Sequence, residues 1–198
     1  MTDYKLTYFD LKGRAEPIRY ILSYMGKKFE DDRIPVYKWS QIKDSCPFGK
    51  VPVLQIDGQK FHQSAAICRY LAIEAGLAGK TLLENFEIDQ IVGDIDDLII
   101  EVDKTRAEDP VLQDKLKNTF TNETLPFYFQ RFDKIIENNN GYLVNGKLSW
   151  ADLYMAAISE SLKSCLRMPK IFENYPHLKG LIEKVHLQPG IQQWNKKT

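Results

Sequence analysis

A small set of side chains in this sequence has both the chemistry and the spacing to act together. Tyr8 and Phe9 end a short apolar stretch, and Gly13 and Arg14 follow, so a phenol that can donate a hydrogen bond stands close to a cation. Taken alone, a tyrosine at a strand end is explained by packing, and Arg14 by an ion pair with Glu16 or another acid. Trp39 and Lys43 are four apart and share a face if their stretch is helical. An indole N–H and an ammonium group suit a carboxylate, although a core tryptophan and a solvated lysine account for the same residues. Gln63-Ser64 stands immediately before a helical run that begins Ala65-Ala66-Ile67. Ser64 is a natural N-cap there, and the same geometry offers free N–H groups, a positive helix end, a hydroxyl and an amide to an anion. Asp89, Asp94, Asp96, Asp97, Glu101 and Asp103 crowd the polar side of a long helical stretch, which is ordinarily a solvated face. Ser149 and Asp152 have the spacing of a capping box, a folding signal. His62 is read as structural, and Cys46, Cys68 and Cys165 as small buried hydrophobes.

These residues need elements to hold them. Tyr4 to Phe9 reads as a strand, and Gly13 breaks it before a helix in which Ala15, Ile18, Ile21, Leu22 and Met25 recur at helical spacing. Pro17 fits only in that helix's first turn. Phe29 to Ile34 reads as a second strand and Pro35 to Pro47 as irregular. Val51 to Ile56 and Lys60 to His62 flank Asp57-Gly58, a strong hairpin signal. Ser64 opens a third helical run. From about Asn85 the pattern is helical throughout: Ile88 to Val102 form one stripe, and Leu112 to Ile135 another that Pro126 should bend. Asn138 to Gly141 is a turn cluster. Shorter helices follow over Ser149 to about Cys165, Tyr175 to Val185 and Pro189 to Trp194. Strands that end before the helices accumulate predict two domains. They are an α/β unit over 1–76 with thioredoxin-like order and an all-α unit over 85–198, joined by a linker at 77–84. No CxxC stands at the end of the first strand, so the unit should bind a thiol peptide rather than exchange with a disulfide.

Composition narrows the partners. In 198 residues, 27 basic side chains balance 27 acidic ones, which argues against nucleic acid or an anionic membrane surface. No stretch approaches the ~18 to 20 apolar residues of a membrane helix. Three cysteines without metal spacing and an amino terminus without a basic leader and apolar core fit a cytoplasmic protein.

KLTYFDLKGRAEPIRYIL, PFGKVPVLQIDG, HQSAAICRYL and LSWADLY, in that order and at these distances, resemble the signature blocks of cytosolic glutathione transferases. The likeness is to the sigma class, which includes the haematopoietic prostaglandin D synthases. It runs over nearly the whole chain and implies glutathione as co-substrate, a small hydrophobic electrophile, a homodimer and no required metal. By resemblance Tyr8 donates a hydrogen bond to the glutathione sulfur and Arg14 keeps the local field positive. A shift of about two pKa units in the thiol corresponds to ~2.7 kcal/mol, within reach of a charge-assisted hydrogen bond. Trp39, Lys43 and Lys50 would surround the glycyl carboxylate. Val51, turned outward by a cis bond to Pro52, would pair with the cysteinyl backbone; an ordinary edge-strand proline is the alternative. Gln63 and Ser64 would take the γ-glutamyl carboxylate, and Asp97 of a second subunit the γ-glutamyl ammonium. Relatives that bind a divalent ion carry an aspartate where Gly93 stands, which weakens any metal expectation. Phe9, the Lys104 end of the long helix and the carboxyl-terminal segment would form the electrophile site. The implied activity is conjugation of glutathione, with peroxide reduction alongside. The alternatives are a glutathione-dependent prostaglandin D synthase and a catalytically weak crystallin-like structural or carrier protein.

Overall fold

Alternation builds the first strand. In Tyr4–Phe9 (β1), Tyr4, Leu6 and Tyr8 point to the buried face while Lys5, Thr7 and Phe9 point to the other. The computed structural model describes residues 2–197, so the outermost positions of the two expected domains, 1 and 198, lie outside the described residues. It places β1 inside a four-stranded sheet of order β2-β1-β3-β4, with β2 at Glu30–Ile34, β3 at Val53–Ile56 and β4 at Gln59–His62. β2 is parallel to β1, β3 antiparallel to β1, and β4 antiparallel to β3. A parallel neighbour demands a crossover, and α1 (Glu16–Tyr24) supplies it. Pro17 sits in its first turn, and Ile18, Ile21 and Leu22 are fully buried. The second strand begins at Glu30 rather than Phe29, because the Phe29 ring leaves the sheet to pack on Trp194 with centroids 5.5 Å apart. Asp57 and Gly58 turn the β3–β4 hairpin with φ of 47° and 88°, the paired positive values a two-residue primed turn needs. Between β2 and β3 the chain makes short helical turns that include α2 (Trp39–Ile42), and α3 (Ser64–Ala75) follows β4. This is a thioredoxin-like α/β unit.

Helices follow. They are α4 (Leu82–Lys104), α5 (Pro110–Thr119), α6 (Leu125–Asn138), α7 (Trp150–Leu166), α8 (Pro176–His186) and α9 (Pro189–Asn195). Thr81 caps α4, its hydroxyl accepting the Glu84 N–H at 3.1 Å, so this helix starts inside the stretch read as linker. The expected bend at Pro126 takes the form of a π turn, Phe120–Thr124, between α5 and α6. Proline removes a backbone donor and crowds the preceding turn, and widening that turn accommodates it. The two units meet where α1 packs against α7 and α9. Polar contacts reinforce the join: Trp194 Nε1 donates to Glu16 Oε1 at 2.9 Å, and the Tyr20 hydroxyl donates to Asn195 at 3.1 Å.

The capping box at α7 is present. Asp152 accepts from the Ser149 N–H at 2.7 Å, from the Ser149 hydroxyl at 2.9 Å and from the Leu143 N–H at 2.8 Å, all in the core. Burial pushes its carboxyl up from 3.8 to about 6, against the opposing pull of those donors. Asp152→Ala leaves two buried N–H groups without acceptors and should cost ~2 to 4 kcal/mol in denaturant unfolding. The folded carboxyl holds its proton more tightly than the unfolded one. Its contribution to stability is therefore complete below 3.8 and falls as pH rises to about 6. The stability difference between the wild type and Asp152→Asn, measured across that window, should shrink with rising pH.

Candidate functional site

The pleat that puts Tyr8 on the buried face of β1 brings its phenol into the wall of one cavity, beside Arg14, which lines that cavity and a second, smaller one. Tyr8 Oη accepts the backbone N–H of Arg14 at 3.2 Å. Burial raises the phenol's pKa, while the Arg14 amide and the positive charges of Arg14 and Arg19 pull it down without overcoming burial. The group stays protonated at neutral pH. Because the Arg14 amide already occupies one lone pair, the hydroxyl hydrogen is left to be donated elsewhere.

The smaller cavity, about 300 Å³, is lined by Arg14, Lys50, Val51, Pro52, Gln63 and Ser64. The Val51-Pro52 bond is cis. Ser64 differs from its reading as an N-cap: Gln63 holds the cap position and Ser64 is the first helical residue of α3. Gln63 adopts φ of 73°, a left-handed backbone that a non-glycine residue keeps only when its surroundings enforce it. Two cations and the positive end of a twelve-residue helix thus line one cleft, an environment that suits carboxylates. Phe48 and His62 also line it, their ring centroids 5.1 Å apart. The sequence reading gave neither a role, and an isolated aromatic or histidine carries no local signal of one. Trp39 and Lys43 are not among the lining residues. The Trp39 ring meets Phe9 edge-on at 5.2 Å, and the Lys43 side chain lies along Gly49 beside the cleft.

A polar chain runs behind this cleft. Arg14 Nη1 donates to Asp96 Oδ1 at 2.8 Å, so the arginine's acid is Asp96 and not Glu16, which instead holds Arg19 at 3.0 Å. The fully buried Tyr154 donates to the same Asp96 oxygen at 2.9 Å, and its hydroxyl lies 3.5 Å from Ser64 Oγ. Burial pushes the Tyr154 phenol well above its ordinary pKa, which keeps it a donor. Arg14 and Ser64 are thereby tied together through α4 and α7. Asp97, the next residue, lies on the exposed side of α4 and lines neither cavity. Among the described residues no group of three or more His, Cys, Asp or Glu side chains is placed to hold a metal ion.

The larger cavity, about 650 Å³, has Tyr8, Phe9, Ile99, Val102, Ile158 and Leu162 in its walls. At its rim Lys12 pairs with Glu160 at 3.5 Å, and Arg106 with Asp103 at 3.5 Å. Lys104, expected here, lies outside it. It pairs with Glu101 on the surface, because α4 ends at Lys104 and the chain turns before Arg106 reaches the cavity. The far wall comes from α7 rather than from the carboxyl-terminal segment. Of the three cysteines only Cys68 is the expected buried hydrophobe. Cys46 is half-buried, and Cys165 is exposed at the larger cavity, its sulfur 3.8 Å from Arg106 Nη2. Arg14 lines both cavities, and Tyr8 stands beside it.

Comparison with known proteins identifies relatives of the whole chain. The glutathione S-transferase N-terminal domain model matches residues 4–73, and the C-terminal domain model matches residues 97–198. A glutathione S-transferase of Anopheles gambiae is 41% identical over 93% of this chain and 91% of its own length. Hematopoietic prostaglandin D synthase of Gallus gallus is 39% identical over 100% of this chain and 97% of its own. Among solved structures, prostaglandin synthase D of Nilaparvata lugens superposes with a TM-score of 0.96 at 44% identity, covering 98% of each chain. Both domain models in order, together with relatives that span the full length, place this chain in the glutathione S-transferase family.

Proposed function

We propose that the smaller cleft binds glutathione and that its thiolate attacks an apolar electrophile seated in the larger cavity. The observation that carries this reading is the placement of a protonated Tyr8 phenol beside Arg14, the residue shared by both cavities. The thiol gives its proton to solvent, the Tyr8 hydroxyl donates to the resulting sulfur anion, and a sulfur–carbon bond forms as the leaving group departs with its bonding pair or, in an addition, as the acceptor's π bond opens and its far carbon takes a proton from solvent. The protein contributes proximity and charge stabilisation. In this reading Lys50, with Trp39 and Lys43 at the flank, takes the glycyl carboxylate, Val51 and Pro52 frame the cysteinyl backbone, and Gln63 and Ser64 hold the γ-glutamyl carboxylate. The amino-terminal unit, 1–76, binds glutathione; 77–84 links it to 85–198, which supplies most of the electrophile pocket. The protein works in the cytoplasm, and among the described residues no helix is long and apolar enough to cross a membrane.

The active unit in this proposal is a homodimer. Tyr70 and Ile73 of α3 and Leu82, Leu83 and Phe86 of α4 are all more than half exposed, an apolar surface of the kind that a partner covers. Asp97, outside both cavities of its own subunit, would reach the γ-glutamyl ammonium of the other. A second reading, glutathione-dependent isomerisation of a prostaglandin endoperoxide, is favoured by the likeness to proteins named prostaglandin D synthase. The charged pairs at the cavity rim weigh toward general conjugation, since a lipid passing them must meet partly desolvated charge.

Three outcomes are expected. Tyr8→Phe should lower kcat with a halonitrobenzene by ~10 to 1,000-fold, and an unchanged rate would remove the catalytic assignment. Asp97→Ala should weaken glutathione binding by ~1 to 3 kcal/mol in calorimetry, whereas a fully active monomer in sedimentation under assay conditions would contradict the shared site. With product analysis, turnover of a prostaglandin endoperoxide should be less efficient than conjugation; preferred formation of the D-series product would reverse that order.

A further inference from the structure

Gly13 stands where the chain leaves β1 and turns toward α1, and its φ of +47° lies in the left-handed region. A Cβ at this position would lie 2.6 Å from Tyr8 Oη, 2.7 Å from Leu11 Cδ1 and 3.0 Å from Tyr8 Cε1. Real carbon atoms do not approach an oxygen so closely, so any side chain here must displace the phenol, the leucine or the backbone. The backbone is not free to give way. Arg19, fully buried, donates through Nη1 to the carbonyls of Leu11 at 3.0 Å and Lys12 at 3.3 Å. Its guanidinium is itself held by Glu16 at 3.0 Å and Asp31 at 2.9 Å. Directly after Gly13, the Arg14 N–H is committed to Tyr8 Oη at 3.2 Å.

We propose that Gly13 is a positioning residue for the Tyr8 hydroxyl: its missing side chain and left-handed backbone let the phenol lie against the turn and receive the Arg14 N–H. The inference rests on the reading that Tyr8 donates to the glutathione sulfur. The amide occupies a lone pair of the phenol oxygen, which leaves the hydroxyl hydrogen for the thiolate. A methyl group at Gly13 pushes the oxygen off the amide and out of line with the sulfur, so the thiolate loses stabilisation while the carboxylate contacts in the smaller cleft remain.

The test is Gly13→Ala in the full chain, with the thiol pKa of bound glutathione read from thiolate absorbance against pH, beside kcat and KM. The thiol pKa should rise by about one unit or more, with kcat falling ~10-fold or more and KM for glutathione staying within about threefold. Gly26→Ala is the control for backbone strain, because Gly26 has φ of +67° and a Cβ there meets nothing within 4 Å. It should leave the thiol pKa at the wild-type value. The double variant Leu11→Ala/Gly13→Ala removes the other crowded atom, which favours folding if the single variant is unstable, and should keep the defect. A wild-type thiol pKa in Gly13→Ala, recovery on adding Leu11→Ala, or a change confined to KM for the electrophile would each overturn the inference. Tyr8→Phe separates the two levels. If it leaves the thiol pKa unchanged, the role of Tyr8 itself fails; if it raises the pKa and Gly13→Ala does not, only the role of Gly13 fails.

Discussion

A phenol taken out of water at the end of a strand must find a hydrogen-bond partner, and much of the site follows from how that need is met. Tyr8 is on the buried face of β1 because Tyr4 and Leu6 are, four and two residues before it. Its oxygen takes the amide of Arg14, which is possible only if the chain doubles back within six residues. Gly13 makes that turn, and Arg19 ties down the carbonyls on its near side. Burial keeps the proton on the phenol, so the same desolvation that makes a partner necessary also makes the group a donor rather than a base.

The Arg14 side chain extends the site into the helical unit. Its ion pair with Asp96 is partly shielded from solvent, and the same carboxylate receives Tyr154. Removing one member of such a network leaves the others without partners, so the arrangement fixes geometry more than it adds net stability. Packing of α1 on α7 and α9, with Glu16 bonded to Trp194, also holds the two units in register. Both cavities therefore have walls whose positions depend on contacts between the units.

Much of this was legible in the residues. Period-two alternation in Tyr4–Phe9, the Asp57-Gly58 hairpin, the apolar stripe of α4 and the Ser149–Asp152 box are local signals, and each appears within a residue or two of its expected place. What was illegible depends on distant partners or on backbone states that no residue type marks. Nothing local says that Asp96, one acid in a charged helix, meets groups 82 and 58 residues away. Gln63 occupies a left-handed conformation that a sequence reader would assign to glycine, and this moves the cap from Ser64 to its neighbour. Lys104 was expected at the cavity, yet Arg106 lines it instead, an outcome decided by where α4 stops. The π turn before Pro126 is likewise a compromise between helix continuity and a proline, visible beforehand only as a bend.

In the proposed reaction the protein stabilises a thiolate beside Arg14, the residue that lines both cavities. The most direct measurement is a pH titration of thiolate absorbance for glutathione bound to the wild-type protein, set against free glutathione in the same buffer. The bound thiol should have a pKa lower by about two units, equivalent to ~2.7 kcal/mol. A bound thiol that titrates with the free one would contradict it.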